Sequence, residues 1–221
     1  MKSSRQKLNE NESSFSKFSF SDSGLDEKQK LLLGTLSKNF DIERCTDVDS
    51  FFPTHLIVKD HTKTVKYIKA VFYKVTIVSV KWVKKWMSYK PPKLVPIDDY
   101  VLRKGSKESD SQNFTQNSLF KDMKFVFSTW LNKVPTLKGL NLSHFVISLG
   151  GETFRTLTTA FRELEDTSDM HTLYYVSDGQ DTRSNLPKAL NNKINIINVH
   201  YRWVINCVCE NKILEPTCES S

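Results

Sequence analysis

Glycine and proline are both scarce, seven of each in 221 residues. That excludes collagen-like and low-complexity chains. No apolar stretch approaches the ~18–20 residues that a membrane-spanning helix needs. The opening segment, MKSSRQKLNENESS, lacks the apolar centre of a signal peptide. The expectation is a soluble, intracellular protein with no membrane contact. Cysteine is sparse too: Cys45, Cys207, Cys209 and Cys218 form no paired Cys-x-x-Cys units. The Cys207-x-Cys209 pair has no nearby histidine partners, so free thiols in a reducing compartment are expected rather than a metal site or a disulfide framework. The five histidines (His55, His61, His144, His171, His200) match neither a catalytic triad nor a metal-ligand pattern, and no phosphate-cradling Gly-rich loop is present. Neither an enzyme nor a cofactor is expected.

What is present is enough apolar material for real cores: 38% hydrophobic residues, with 14 Phe and 4 Trp. The length suits one large domain or two small ones. A net charge of +7 favours anionic partners. The charge is unevenly placed, since Lys59 to Lys93 contains ten lysines against one acidic residue, Asp60. Such a run is by default a solvated face.

The most informative feature is an approximate internal repeat. Thr76-Ile-Val-Ser-Val80 runs into Lys81-Trp82-Val83-Lys84-Lys85-Trp86, and Asn195-Ile-Ile-Asn-Val199 runs into His200-Tyr-Arg-Trp203-Val204-Ile205-Asn206-Cys207. Each reads as a buried strand followed at once by an amphipathic helix. The Trp82 to Trp203 spacing makes each copy roughly 100 residues, about one small domain.

Reading backwards, copy one has strands at 17–20, 41–46 and 54–58, with helices at 24–38 and 64–73. Copy two has strands at 123–128, 152–157 and 172–176, a helix at 136–149 ended by Gly150-Gly151, and a short helix near Ser184 that admits Pro187 in its first turn. Both copies read β-α-β-β-α-β-α, an alternation that implies a mostly parallel sheet with helices on both faces. Residues 103–117 are polar and read as a linker, and residues 1–14 as a disordered N-terminal segment.

In this arrangement the sequence resembles the BRCT family, through Trp203-Val-Ile-Asn-Cys207 on the last helix of copy two, its counterpart Trp82-Val-Lys-Lys-Trp86, and Gly150-Gly151 after a first helix. Copy one departs by having a lone Gly34 inside its helix. The resemblance covers residues 17–218. It implies an α/β fold of two BRCT repeats, at 15–102 and 118–221, each a small, mostly parallel four-stranded sheet flanked by helices, packed head to tail.

Tandem pairs that read phosphoserine or phosphothreonine carry Ser/Thr-Gly after the first strand and Thr-x-Lys opening the second helix. Here these are Ser23-Gly24 and Thr64-Val65-Lys66. The residue types suit the chemistry. A hydroxyl and a backbone N–H can donate to a phosphate from a helix N-terminus, glycine permits close approach, and lysine supplies the compensating charge. Thr64 is expected to cap or orient its helix.

The resemblance also implies a second contact for residues following the phosphate. Arginine often precedes the threonine in similar pairs and grips peptide backbone or a free C-terminal carboxylate. Lys63 stands there, keeping the charge without the planar fork. Lys133 and Val134 are candidate groove contacts from repeat two. Residues 66–100 with Gln112-Asn113-Phe114 resemble checkpoint mediators that bind the damage-phosphorylated tail of histone two-A. The implied partner is therefore that tail, in the nucleus, on chromatin at DNA breaks. The alternative is a scaffold for an unphosphorylated repair partner, or direct DNA contact. The two repeats read as a module of a larger protein.

Overall fold

Consecutive β-branched and apolar residues form strands buried on both faces when helices cover a parallel sheet, and His55–Val58 and Thr76–Ser79 are such segments. The computed structural model describes residues 18–40, 42–46, 53–90, 95–103, 118–165, 169–179 and 193–216. The chain divides into two compact units, Met1–Gly105 and Ser106–Ser221.

Unit one contains β1 (Ser19–Ser23), α1 (Glu27–Phe40), β2 (Glu43–Arg44), β3 (His55–Val58), α2 (Val65–Phe72), β4 (Thr76–Ser79), α3 (Lys81–Met87) and β5 (Val101–Arg103). The sheet order is β2-β1-β3-β4-β5. The first four strands are parallel and β5 is antiparallel to β4. The sheet thus has five strands rather than the expected four. Arg103, read from the sequence as the first linker residue, pairs with Ile77. Three residues are too few to show strand periodicity, which is why β5 escapes notice.

One face of this sheet packs Phe20, Ile57 and Val78 against Leu33 and Leu36 of α1 and Trp82, Val83 and Trp86 of α3. Helix α1 begins later than expected. Gly24 adopts φ +68° and interrupts the chain. Asp26 then caps the helix: its Oδ1 accepts from Gln29 N at 2.9 Å while Gln29 Oε1 accepts from Asp26 N at 3.1 Å. This reciprocal pair is a capping box with Asp and Gln in the two roles.

Unit two contains β6 (Lys124–Phe127), α4 (Leu142–Ser148), β7 (Glu152–Phe154), α5 (Leu157–Glu165), β8 (His171–Ser177), β9 (Ile194–His200) and α6 (Tyr201–Glu210). Its four strands are parallel, in the order β7-β6-β8-β9. Three expectations change here. The helix over 136–149 is shortened to α4, because Pro135–Leu137 forms a 3-10 turn, Gly139 takes φ +81°, and Asn141 caps α4 by accepting from His144 N. The strand over 152–157 stops at Phe154, where Thr156 Oγ1 accepts from Thr159 N at 3.1 Å and starts a helix. That helix, α5, is absent from the sequence reading. It buries Ala160 and Leu164 against Val126, Leu173 and Tyr175. The two copies therefore differ in element order. The short helix expected near Ser184 and the Gln112-Asn113-Phe114 segment lie outside the described residues.

The repeat is clearest in two indole bonds. Trp82 Nε1 donates to Val95 O at 2.9 Å, and Trp203 Nε1 donates to Leu214 O at 3.0 Å. In each unit the tryptophan ties the chain that leaves its last helix back onto the core. A buried indole N–H needs such an acceptor.

Candidate functional site

In an open parallel sheet, ligands bind beyond the carboxyl ends of the strands where the chain's direction of winding reverses. In unit one that place is the end of β1, which has β2 on one side and β3 on the other. Ser23 is the last residue of β1, and Gly24 turns the chain towards α1 with φ +68°. A Cβ placed on Gly24 would meet nothing within 4 Å, so the space beside its backbone is open.

Across the reversal point, Thr64 is the N-cap of α2, its hydroxyl accepting from Tyr67 N at 3.2 Å. Its Oγ1 also lies 2.6 Å from Ser23 Oγ, in a hydroxyl–hydroxyl bond. Lys66, in the first turn of α2, reaches back across the strand ends. Its Nζ donates to Thr46 O at 2.7 Å and, at a longer 3.4 Å, to Asp22 O. Ser23, Gly24, Thr64 and Lys66, named from two separated sequence fragments, are thus gathered at one point. The arrangement offers a hydroxyl, an accessible backbone turn and an ammonium group, which is donor chemistry suited to an anion.

Sequence reasoning missed a charged pair beside this point. Asp22 Oδ1 accepts from Arg44 Nη2 at 2.7 Å and from Arg44 Nε at 3.1 Å. The side chains are 13% and 35% exposed respectively. Only the pairing of β1 with β2 brings them together, and β2 is two residues long.

The remaining candidates are placed separately. Lys63 is exposed and immediately precedes the Thr64 cap. In unit two, Lys133 Nζ lies 4.0 Å from the ring centroid of Trp130, a cation–π contact. Val134 joins the 3-10 turns Thr129–Lys133 and Pro135–Leu137. The winding of unit two reverses at the end of β6, beside a cavity of about 760 Å³ lined by Ser128, Asn132, Lys138 and Asn141 among others. There Ser128 Oγ accepts from Trp130 N and the next residue is Thr129, so the Ser-Gly pair of unit one has no counterpart.

His55, the first residue of β3, is structural. Its ring stacks on Phe18 at 4.4 Å and its Nδ1 lies 2.8 Å from Thr54 Oγ1, and burial pushes its pKa down to about 4.

No protein-family model matches the chain, and no curated protein sequence matches it. Solved structures do. The BRCT5–BRCT6 domains of S. pombe Brc1 match with TM-score 0.52 at 19% identity, over 89% of this chain and 94% of that one. Rtt107p residues 820–1070 match with TM-score 0.52 at 10% identity, over 93% and 91%. A complex of Rtt107p with phosphorylated histone two-A matches with TM-score 0.51 at 12% identity, over 90% and 89%. With its two mostly parallel sheets, each flanked by helices, the chain has the fold of a tandem pair of BRCT domains.

Proposed function

We propose that the chain is a phosphoserine/phosphothreonine-peptide-binding module, with repeats at 15–103 and 118–221 joined by a 104–117 linker, Arg103 belonging to β5. It acts as an interaction module rather than an enzyme. The observation that carries this reading is the convergence of Ser23, Thr64 and Lys66 at the end of β1. Thr64 Oγ1 accepts from Tyr67 N, so its own proton can go to Ser23 Oγ, leaving the Ser23 proton for a phosphate oxygen. Each bond in such a chain polarises the next. Lys66 carries three N–H donors. Two face the Thr46 and Asp22 carbonyls, which leaves one for the phosphate. The Gly24 N–H completes the cradle, unobstructed by a side chain.

Lys63, Lys133 and Val134 are proposed to read the residues that follow the phosphate. The ligand proposed is the damage-phosphorylated C-terminal tail of histone two-A, which makes the protein a nuclear DNA damage response mediator on chromatin. Support comes from the similarly folded Rtt107p, solved with phosphorylated histone two-A, and from the lysine-rich stretch of unit one, which suits an acidic tail. A phosphopeptide array carrying free and amidated C-termini tests this. The histone-type tail should lead the ranking and amidation should weaken it. An unchanged signal on amidation would remove carboxylate recognition by Lys63.

A second reading rests on α3. Lys81, Lys84 and Lys85 are exposed there, and none pairs with a carboxylate among the described residues. Direct duplex-DNA binding would use that face. It would show a steep salt slope and no response to Lys66→Met.

A further inference from the structure

We propose that Arg44 is a positioning residue of the phosphate site, acting through Asp22 rather than by touching the ligand. The inference rests on the phosphate reading of Ser23 and Lys66. Asp22 occupies an awkward place. It is the residue before Ser23, and its side chain is only 13% exposed, so its carboxylate lies one residue from the hydroxyl assigned to a dianion. An uncompensated negative charge there would oppose phosphate binding.

Two N–H groups of Arg44 converge on a single oxygen of Asp22, at 2.7 and 3.1 Å. On the neighbouring helix α1, Lys30 lies within electrostatic reach of Asp22 but hydrogen-bonds Glu27 at 2.7 Å, so the hydrogen-bonded cation of the Asp22 carboxylate is Arg44. The same short segment also sets Lys66. Cys45 N donates to Phe20 O at 2.7 Å, fixing the chain as it leaves β2, and the next carbonyl, that of Thr46, accepts from Lys66 Nζ at 2.7 Å. Asp22 meanwhile offers Lys66 its own backbone carbonyl at 3.4 Å.

Asp22 is therefore divided between two cations. Its carboxylate belongs to Arg44 and its carbonyl to Lys66. Removing the guanidinium leaves a poorly solvated carboxylate without its hydrogen-bonded cation, on the residue whose carbonyl Lys66 holds, and Lys66 is the charge the phosphate needs. Arg44 thus protects Lys66 from an internal competitor. The requirement disappears if residue 22 carries no charge.

This predicts a double-mutant cycle. The probe is a fluorescent phosphoserine-Gln peptide with an acidic, free C-terminus, titrated against the full chain. Arg44→Ala should weaken binding about three- to tenfold at low salt. Asp22→Asn should bind at least as tightly as the unmodified chain. The Asp22→Asn/Arg44→Ala pair should return to within about twofold of it. The Arg44→Ala deficit should also shrink from about 0.05 M to 0.5 M salt, as a screened charge effect does. A purely structural loss would persist.

Wild-type affinity in Arg44→Ala would overturn the proposal. So would a double variant as weak as Arg44→Ala, which would mean that Arg44 touches the ligand or only holds the fold. Lys66→Met, measured in parallel, separates this from failure of the site. If Lys66→Met binds like the unmodified chain, or the peptide does not bind at all, the phosphate reading falls and the Arg44 proposal with it. If Lys66→Met abolishes binding and Arg44→Ala does nothing, only the Arg44 proposal falls.

Discussion

The Ser23 hydroxyl sits 2.6 Å from the Thr64 hydroxyl, joining the last residue of β1 to the N-cap of α2. One hydrogen bond thus links a strand end, a helix start and the place where a parallel sheet offers its ligand crevice. Because Thr64 is also bonded to Tyr67 N, the two hydroxyls are not equivalent. In the proposed site Ser23 would face the phosphate, with Thr64 orienting the Ser23 hydroxyl.

That asymmetry makes the two positions separable. Ser23→Ala removes a donor to a charged acceptor, and binding to a phosphopeptide should fall about ten- to hundredfold with little change in stability. Thr64→Val should instead combine a smaller binding loss with the cost of a lost cap, about 1 kcal/mol. Titrations paired with denaturant unfolding would check the split. Equal stability losses in the two variants would contradict it.

Gly24→Ala tests the close approach. A methyl at φ +68° meets no protein atom within 4 Å, so the stability cost should be confined to backbone strain, about 1–2 kcal/mol. Phosphopeptide affinity should fall as well, because the methyl stands in space assigned to the phosphate. A variant that unfolds more easily yet binds unchanged would place the ligand elsewhere.

Gly151→Ala should damage unit two for a different reason. Its Cβ would lie 2.6 Å from Val146 Cγ1 and 3.0 Å from Phe120 Cβ. Overpacking of this kind costs about 1–3 kcal/mol. A lower thermal midpoint is expected; an unchanged one would mean the 118–151 region repacks freely.

His55 gives the fold a pH dependence. Burial holds its pKa near 4, below the ordinary 6.5 to which unfolding returns it. Between those values the unfolded chain binds a proton that the folded chain refuses. Stability is therefore full above about pH 6.5 and declines as the pH falls through 4, by about 3 kcal/mol in all. His55→Gln should flatten that part of the stability–pH curve, whatever it does to stability at pH 7. An equally steep curve in the variant would contradict the assignment.

The features legible in the sequence were those carried by local patterns. The strand-then-tryptophan units at Trp82 and Trp203 marked two similar cores, and each indole does tie down its own C-terminal segment. Ser-Gly and Thr-x-Lys lie some forty residues apart, and the fold joins them because β1 and β3 are neighbours. Boundaries failed where one side chain decides them: Asp26 delays α1, Asn141 delays α4, and Thr156 opens α5 where a strand was expected to continue. Helix α5 carries a readable pattern, Leu157, Ala160, Phe161 and Leu164, but matching unit two to unit one puts its first residue in a strand and the rest in a connection. Arg44 could not be found that way. Its partnership with Asp22 exists only through strand pairing, and nothing local to either residue announces it.

The most direct test is a titration of the full chain with a phosphoserine peptide of the histone two-A tail type and with its unphosphorylated twin, each repeated on Lys66→Met. The expected result is binding of the phosphorylated peptide alone, lost in Lys66→Met while the variant's thermal unfolding matches that of the unmodified chain. Equal binding of the two peptides, or a Lys66→Met variant that still prefers the phosphorylated one, would contradict a phosphate site at Ser23, Gly24, Thr64 and Lys66.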